Sequence, residues 1–205
     1  MQMEEVDMTP REMLQHRITQ PSQYLAKGDD SEPDFSIGKV LHFDRRTKRL
    51  VDDLANVRVM VIDSDFYKGL RDELFNTFKS GTPIILYQMG IGYGLLTGSK
   101  ISQSSSTISA SRKFMRRGEY QGYGQLEVPL LGSIISGIHR EVVVRLKDSF
   151  YATSAGQTGQ VECYLTAGMI AGAATILLKK KFKCVEEKCL SKGDEYCEFR
   201  LKEEG

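Results

Sequence analysis

The chain has 205 residues, a length that suits one domain with one core of useful size. Lys and Arg number 28 against 27 Asp and Glu, so the composition offers no basic field for nucleic acid and argues against a nucleic-acid partner. No stretch reaches the ~18–20 consecutive apolar residues that a membrane span needs, and the first residues lack a signal-peptide apolar core. We therefore expect a cytoplasmic protein, whose four cysteines act as metal ligands or free thiols rather than as disulfides.

Residues 1–34 are polar and contain three prolines and the run "KGDDSEPD". They are predicted to form an N-terminal arm that packs on a partner subunit, with a partly disordered tail as the alternative. Residues 35–205 are predicted to form the single ligand-binding domain.

The first half of this domain begins with strands. "GKVLHFDRRTKRLVDD" has two short apolar runs around a polar turn and predicts a β-hairpin, and "VRVMVID" predicts a third strand. Asp63 or Ser64 caps a helix whose apolar residues have helical spacing: Phe66, Leu70, Leu74 and Phe78. A second helix follows, with Pro83 in its first turn and with glycines that suit close packing but weaken the helix prediction: Gly90, Gly92, Gly94 and Gly98.

The second half alternates basic, strand and helix patterns. The basic segment "RKFMRRGEY" predicts a solvated helix face rather than an anion or membrane contact. "YGQLEVPLL" and "IHREVVVRLKDSF" predict two strands, the first at an edge or with a bulge because of Pro129. "GQVECYLTAGMIAGAATILLKKK" predicts a helix with a face of small residues, and "KFKCVEEKC" with "CEFRL" predicts a closing hairpin. The fold class is α/β (α+β), with mostly antiparallel strands and helices to one side.

Three of the four cysteines lie in the closing hairpin, and Cys163 begins the long helix. If the hairpin turn lies beside the helix start, Cys163, Cys189 and Cys197 converge with a fourth donor, which is either Glu186 or Cys184 because both point to one face of a strand. Thiolates with a carboxylate suit tetrahedral zinc, and four protein ligands indicate a structural site. Buried free thiols are the equal alternative, since the E-x2-C-x7-C spacing is not a common zinc pattern.

The same region resembles the 4-vinyl reductase domain family. The resemblance rests on "DSFYA" at 148–152, on C-x4-G-x2-A-G at 163–172 and on E-x2-C-x3-GD-x2-C-x-F at 186–199, within a core motif at 138–201. The upstream segment also resembles the one that precedes this domain in aromatic-sensing transcription activators.

The resemblance implies an α/β sandwich shared with core subunits of the TRAPP tethering complexes, a homodimer, and a zinc ion held by Cys163, Glu186, Cys189 and Cys197, with Glu186 in place of Cys184. The activators bind a phenol hydroxyl with a Trp and a His. This chain has no Trp; Leu146 takes that position, and His139 is the nearest candidate for the His, so phenol specificity is not expected. Candidate lining residues for a small-ligand pocket are Phe114, Tyr123, Leu146, Phe150 and Tyr164, for which core packing is the competing interpretation.

Three functions follow. The first is a binding module for a small hydrophobic, aromatic or lipid-like ligand, signalling through a protein partner. The second is a dimeric interaction or scaffold subunit of the TRAPP type. The third is a vinyl reductase of tetrapyrrole metabolism, which we do not expect because no Rossmann-type phosphate loop follows a strand. Haem binding is not expected either, because His16, His42 and His139 lie in the tail, the hairpin and before a strand.

Overall fold

The computed structural model describes residues 41–53, 55–103, 106–129 and 142–204. The predicted arm at 1–34, with His16, and the residue His139 lie outside these ranges. The strands are β1 (Leu41–Asp44), β2 (Arg49–Asp52), β3 (Val57–Val59), β4 (Gln125–Glu127), β5 (Val142–Lys147), β6 (Phe182–Lys188) and β7 (Cys197–Glu203). The helices are α1 (Ser64–Phe78), α2 (Thr82–Ser102), α3 (Thr107–Tyr120), α4 (Phe150–Ala155) and α5 (Tyr164–Leu178), with 3-10 turns at Lys79–Gly81 and Leu190–Lys192.

The strands form two antiparallel sheets. Strands β1, β2 and β3 make a three-stranded sheet in chain order, and the hairpin predicted around "DRRTK" joins the first two. Asp44 fixes this turn, because its carboxylate accepts hydrogen bonds from the Arg46 amide at 2.9 Å and the Thr47 hydroxyl at 2.6 Å. The hairpin is therefore confirmed, and β3 is shorter than the apolar run predicted.

The second sheet has four strands in the order β4-β5-β7-β6. Burial alternates along β5 and β6, so one face of the sheet is covered by helices and the other is open to solvent. Phe199 and Leu201 on β7, one of the two inner strands, are almost fully buried and belong to the main core. This arrangement confirms the α+β class, with helices on one side of an antiparallel sheet.

Helices α2 and α5 touch through their backbones. A Cβ atom at Gly90 would lie 2.1 Å from the carbonyl oxygen of Leu165, and one at Gly168 would lie 2.0 Å from that of Tyr87. Gly94 and Gly172 stand in the same relation one turn further along. The small faces that the sequence shows on both helices are therefore one shared contact, and the glycines that weakened the helix prediction lie inside a 21-residue helix.

Three local features were not foreseen from the sequence. Helix α4 was not predicted, because "FYATSA" is too short to show helical periodicity. Arg117 lies in the basic segment predicted to be a solvated face, yet it is only 4% exposed because it pairs with Asp52. Helix α1 buries Tyr67 in the main core, whereas three of the residues whose spacing predicted this helix are about half exposed: Phe66, Leu70 and Phe78.

Among the described residues, no helix combines the length and apolar character that crossing a membrane requires.

Candidate functional site

Four buried donor groups meet where the long helix starts and the closing hairpin turns. Cys163 immediately precedes α5, Glu186 lies on β6, Cys189 follows β6, and Cys197 begins β7. The chain doubles back between α5 and β6, which brings residues 34 positions apart into contact. Their ligand atoms all lie within 4.8 Å of one another. This is the convergence that the sequence predicted.

The distances within the cluster suit one metal ion. The three Sγ–Sγ distances are 3.7, 3.9 and 4.0 Å. A tetrahedral zinc with Zn–S bonds of ~2.3 Å separates its sulfur ligands by about 3.8 Å. The Glu186 Oε2 atom accepts a 2.8 Å hydrogen bond from the Cys163 amide, whereas its Oε1 atom is buried and has no hydrogen-bond partner among the described residues. A metal ion would give that oxygen the partner that a buried polar atom requires.

Backbone and side-chain hydrogen bonds hold the donors in place. Ser149 Oγ lies 3.2 Å from Cys163 Sγ, and the Leu190 amide donates to Cys197 Sγ at 3.5 Å. The Cys189 amide donates to the Asp194 carboxylate at 2.9 Å, which fixes the turn between the two hairpin cysteines. Ser149 and Asp194 are part of the sequence motifs on which the family resemblance rests. Partners of this kind orient metal ligands in known sites.

The cluster is acidic and has no cationic partner in the described part of the chain. Among the described residues, no Lys, Arg or His side chain forms an ion pair or hydrogen bond with any of its four members. Burial and the neighbouring Cys189 raise the pKa of Glu186 to about 8. Hydrogen bonds from the Cys163 and Cys197 thiols lower the pKa of Cys189 below its ordinary range. Buried thiol and carboxyl groups gathered in this way could hold a metal ion, which would favour their charged forms.

Cys184 is not part of the cluster. It points to the same buried face of β6 as Glu186, as the strand alternation predicted. Its amide donates a 3.0 Å hydrogen bond to the Tyr87 hydroxyl on α2, and burial raises the pKa of its thiol. The described geometry thus brings together the set with Glu186 rather than the set with Cys184.

An ion pair that the sequence did not reveal lies beside the cluster. Arg71 on α1 makes two hydrogen bonds to the carboxylate of Glu162, the residue before Cys163, and its guanidinium lies 4.6 Å from the centre of the Phe75 ring. The partners are 91 positions apart, and no spacing rule links them. The pair fastens α1 to the residue that precedes a cluster member.

An apolar cavity of about 70 Å³ lies between α3, α5 and the four-stranded sheet. Helix α3 contributes Phe114 and Met115, helix α5 contributes Ala174, and the sheet contributes Val142. Ser111 carries the only polar side chain among the described lining residues. The space is enough for roughly five water-sized spheres, which is the scale of one ring or a short aliphatic chain.

The five pocket candidates from the sequence take different places. Phe114 lines this cavity. Tyr123 and Leu146 line a smaller adjacent space, where Leu146 is fully buried in the core. Phe150 packs against the rings of Tyr67 and Tyr151, and neither it nor the half-buried Tyr164 lines these two cavities.

Comparison with known proteins places this fold and site in a family. The family model of the 4-vinyl reductase domain matches residues 142–203, which contain the whole cluster. An uncharacterized protein of Methanocaldococcus jannaschii, MJ0150, is 30% identical over 170 residues, which is 80% of this chain and 91% of that protein. The chain therefore belongs to the 4-vinyl reductase domain family.

Solved structures share the fold at low sequence identity. The phenol-responsive sensory domain of the transcription activator PoxR, solved with phenol, matches with a TM-score of 0.68 and 16% identity, covering 82% of this chain and 86% of that one. A vinyl-4-reductase family protein from Methanocaldococcus jannaschii matches with a TM-score of 0.56 and 18% identity, covering 72% of this chain and 85% of that one. The sandwich expected from the resemblance is thus the fold of this chain.

Proposed function

We propose that the protein is a non-enzymatic module of the 4-vinyl reductase domain family that binds a small hydrophobic molecule and holds a structural zinc ion. The apolar cavity between α3, α5 and the sheet carries the proposal, since it lies between the core elements of the family's fold and is lined almost entirely by hydrocarbon. The lining favours an apolar ligand over one with a hydroxyl group. For this reason the phenol response named for PoxR is not carried over to this chain.

The zinc assignment rests on the donor chemistry of the cluster. Three thiols and one carboxylate, all buried, are ligands that zinc prefers, and four of them complete a tetrahedral shell. With no position left for water, the ion fastens α5, β6 and β7 together rather than activating a substrate. In the proposal, the zinc site stabilises one end of the wall that borders the ligand cavity. Its ligands are Cys163, Glu186, Cys189 and Cys197.

A second candidate function, a dimeric interaction or scaffold subunit, has its own support. Phe66, Leu70 and Phe78 repeat at helical spacing along α1 and are 55, 46 and 50% exposed. An apolar stripe of this kind is typical of a helix that packs against another surface. We propose a second copy of this chain as its partner, so a homodimer is expected under both candidates. The third function, a vinyl reductase, was not expected from the sequence, and no feature of the described residues supports it.

Filling the apolar cavity tests the binding function. Toluene at ten times its Kd is expected to raise the thermal midpoint of the wild type by about 4 °C. Ala174→Leu, which places three more carbon atoms in the cavity, is expected to abolish this shift. Ala155→Leu, at a half-buried alanine on α4 outside the cavity, is the matched control and keeps the shift.

Native mass spectrometry of the same samples reports the number of subunits, the metal mass and any small molecule that co-purifies. A toluene response that Ala174→Leu retains, or no response in the wild type, contradicts the binding function. A zinc-bearing dimer without a toluene response would favour the scaffold candidate.

A further inference from the structure

A second and larger cavity, of about 590 Å³, lies between the three-stranded sheet and helices α2 and α3. This volume falls within the range of roughly 300–1,000 Å³ that small-molecule sites occupy. One face of α2 forms a wall of residues spaced i, i+3, i+4 and i+7: Tyr93, Leu96, Thr97 and Lys100. The opposite walls come from the end of α3 and from the sheet, including Leu50, Val57 and Val59.

The floor of this cavity is a paired polar network. Arg117 Nε donates to the Asp52 carboxylate at 2.5 Å, and Arg117 Nη1 donates to the Tyr93 hydroxyl at 2.7 Å. Gln121 Nε2 donates to the same Asp52 oxygen at 3.1 Å. Because the two charges neutralise each other and their hydrogen bonds are made within the protein, the floor is a fixed surface before any ligand arrives.

The described residues that line this cavity carry a positive net charge. None of the described lining residues is acidic, whereas Arg58, Lys100 and Arg117 are cationic. Arg117 is neutralised by Asp52, but Lys100 is exposed and has no ion pair or hydrogen bond among the described residues. It follows Leu96 by one helical turn, so its ammonium group stands at the end of an apolar wall.

We propose that this cavity binds an anionic amphiphile, with its apolar body against Leu50, Val59 and Leu96 and its negative group at Lys100. The first cavity shares no described lining residue with this one, and none of its described lining residues is charged. The two sites therefore select different chemistry, and this inference stands independently of the proposed function.

Two fluorescent probes with the same aromatic body test the charge selection. 8-Anilinonaphthalene-1-sulfonate carries a sulfonate, and N-phenyl-1-naphthylamine is its uncharged counterpart. The sulfonate is expected to bind one site per chain, and Lys100→Gln is expected to raise its Kd about five-fold while changing that of the uncharged probe less than about two-fold. Lys183→Gln, at an exposed lysine on β6 outside the cavity, is the matched control and leaves both unchanged.

Two further variants locate the site. Val59→Trp narrows the cavity and is expected to abolish sulfonate binding, with the fold checked by circular dichroism; since the chain has no other Trp, its emission also reports on the cavity. Ala174→Leu, which fills only the first cavity, is expected to leave sulfonate binding intact. Four results would each overturn the proposal. They are no binding of the sulfonate probe, equal affinity in Lys100→Gln and wild type, loss of binding in Ala174→Leu, and a Kd that rises with protein concentration because a second copy covers the cavity.

Discussion

Glu186 has one carboxylate oxygen that accepts a hydrogen bond from the Cys163 amide and another that is buried and has no hydrogen-bond partner in the described part of the chain. A lone buried acid would be neutralised by taking up a proton, and burial does raise its pKa to about 8. A metal ion in the cluster would reverse this preference, because the ion favours the charged carboxylate and the thiolates around it. The residue is therefore explained by the ion proposed for the site better than by core packing.

Replacing one cluster member tests this directly. Cys189→Ala is expected to lose stoichiometric zinc and to lower the thermal midpoint by about 10 °C, since a structural ion contributes its binding free energy to folding. Metal content and the melting curve are measured on the same sample. Cys184→Ala is the matched control: it removes a thiol that is equally buried on the same hairpin and is expected to keep one zinc per chain. Full metal content in Cys189→Ala would disprove the site.

At the scale of elements, α2 and α5 are joined by glycines on both helices. Their backbones approach so closely that a single methyl group at Gly90 or Gly168 would meet a carbonyl oxygen of the facing helix. This contact positions Cys163, because it fixes the first turns of the helix that follows this residue. A helix contact made by backbone atoms leaves little freedom for either helix to slide.

Two glycines of α2 are expected to respond in opposite directions to the same substitution. Gly90→Ala places a Cβ against Leu165 and should destabilise the fold by about 2–3 kcal/mol, in spite of the better helix propensity of Ala. The added Cβ of Gly92→Ala meets no described atom within 4 Å apart from its own helix backbone and should stabilise the fold by about 0.5–1 kcal/mol. Urea unfolding of both variants measures the difference. Equal effects would mean that the helices are not in backbone contact.

At the scale of the whole molecule, the Asp52–Arg117 pair joins the three-stranded sheet to α3. Asp52 is fully buried at the end of β2, and Arg117 reaches it from a helix 65 positions later in the chain. The Ala55 amide and Gln121 bond to the same carboxylate. The pair therefore locates the small sheet relative to the helices, and with it the walls of the larger cavity.

Neighbouring aspartates allow a controlled test of this link. Asp52→Asn leaves Arg117 buried without its counter-charge and should destabilise the fold by about 3 kcal/mol. Asp53→Asn removes an exposed carboxylate that contacts His42 and should change stability by less than about 0.5 kcal/mol. Thermal unfolding monitored by circular dichroism gives both values. A small effect of Asp52→Asn would show that the sheet is held by its apolar contacts alone.

Local patterns in the sequence determined much of this protein. Several elements can be predicted from local sequence, because turns, caps and periodicity depend on residues a few positions apart. They are the hairpin at β1–β2, the capped helix α1, the long helices and the closing hairpin. The cysteine spacing, together with the family resemblance, also indicated the four members of the cluster. The short helix α4 could not be predicted, because six residues are too few to show helical periodicity.

Only the tertiary structure decided what depends on contacts between distant residues. Arg117, which the sequence predicted to lie at the surface, is buried and pairs with Asp52. Arg71 pairs with Glu162 beside the cluster. The tertiary structure also left the apolar stripe of α1 exposed, although the same spacing is typical of a core-facing helix. Sequence periodicity shows that a face is apolar, but only the packing of the chain shows which surface covers it.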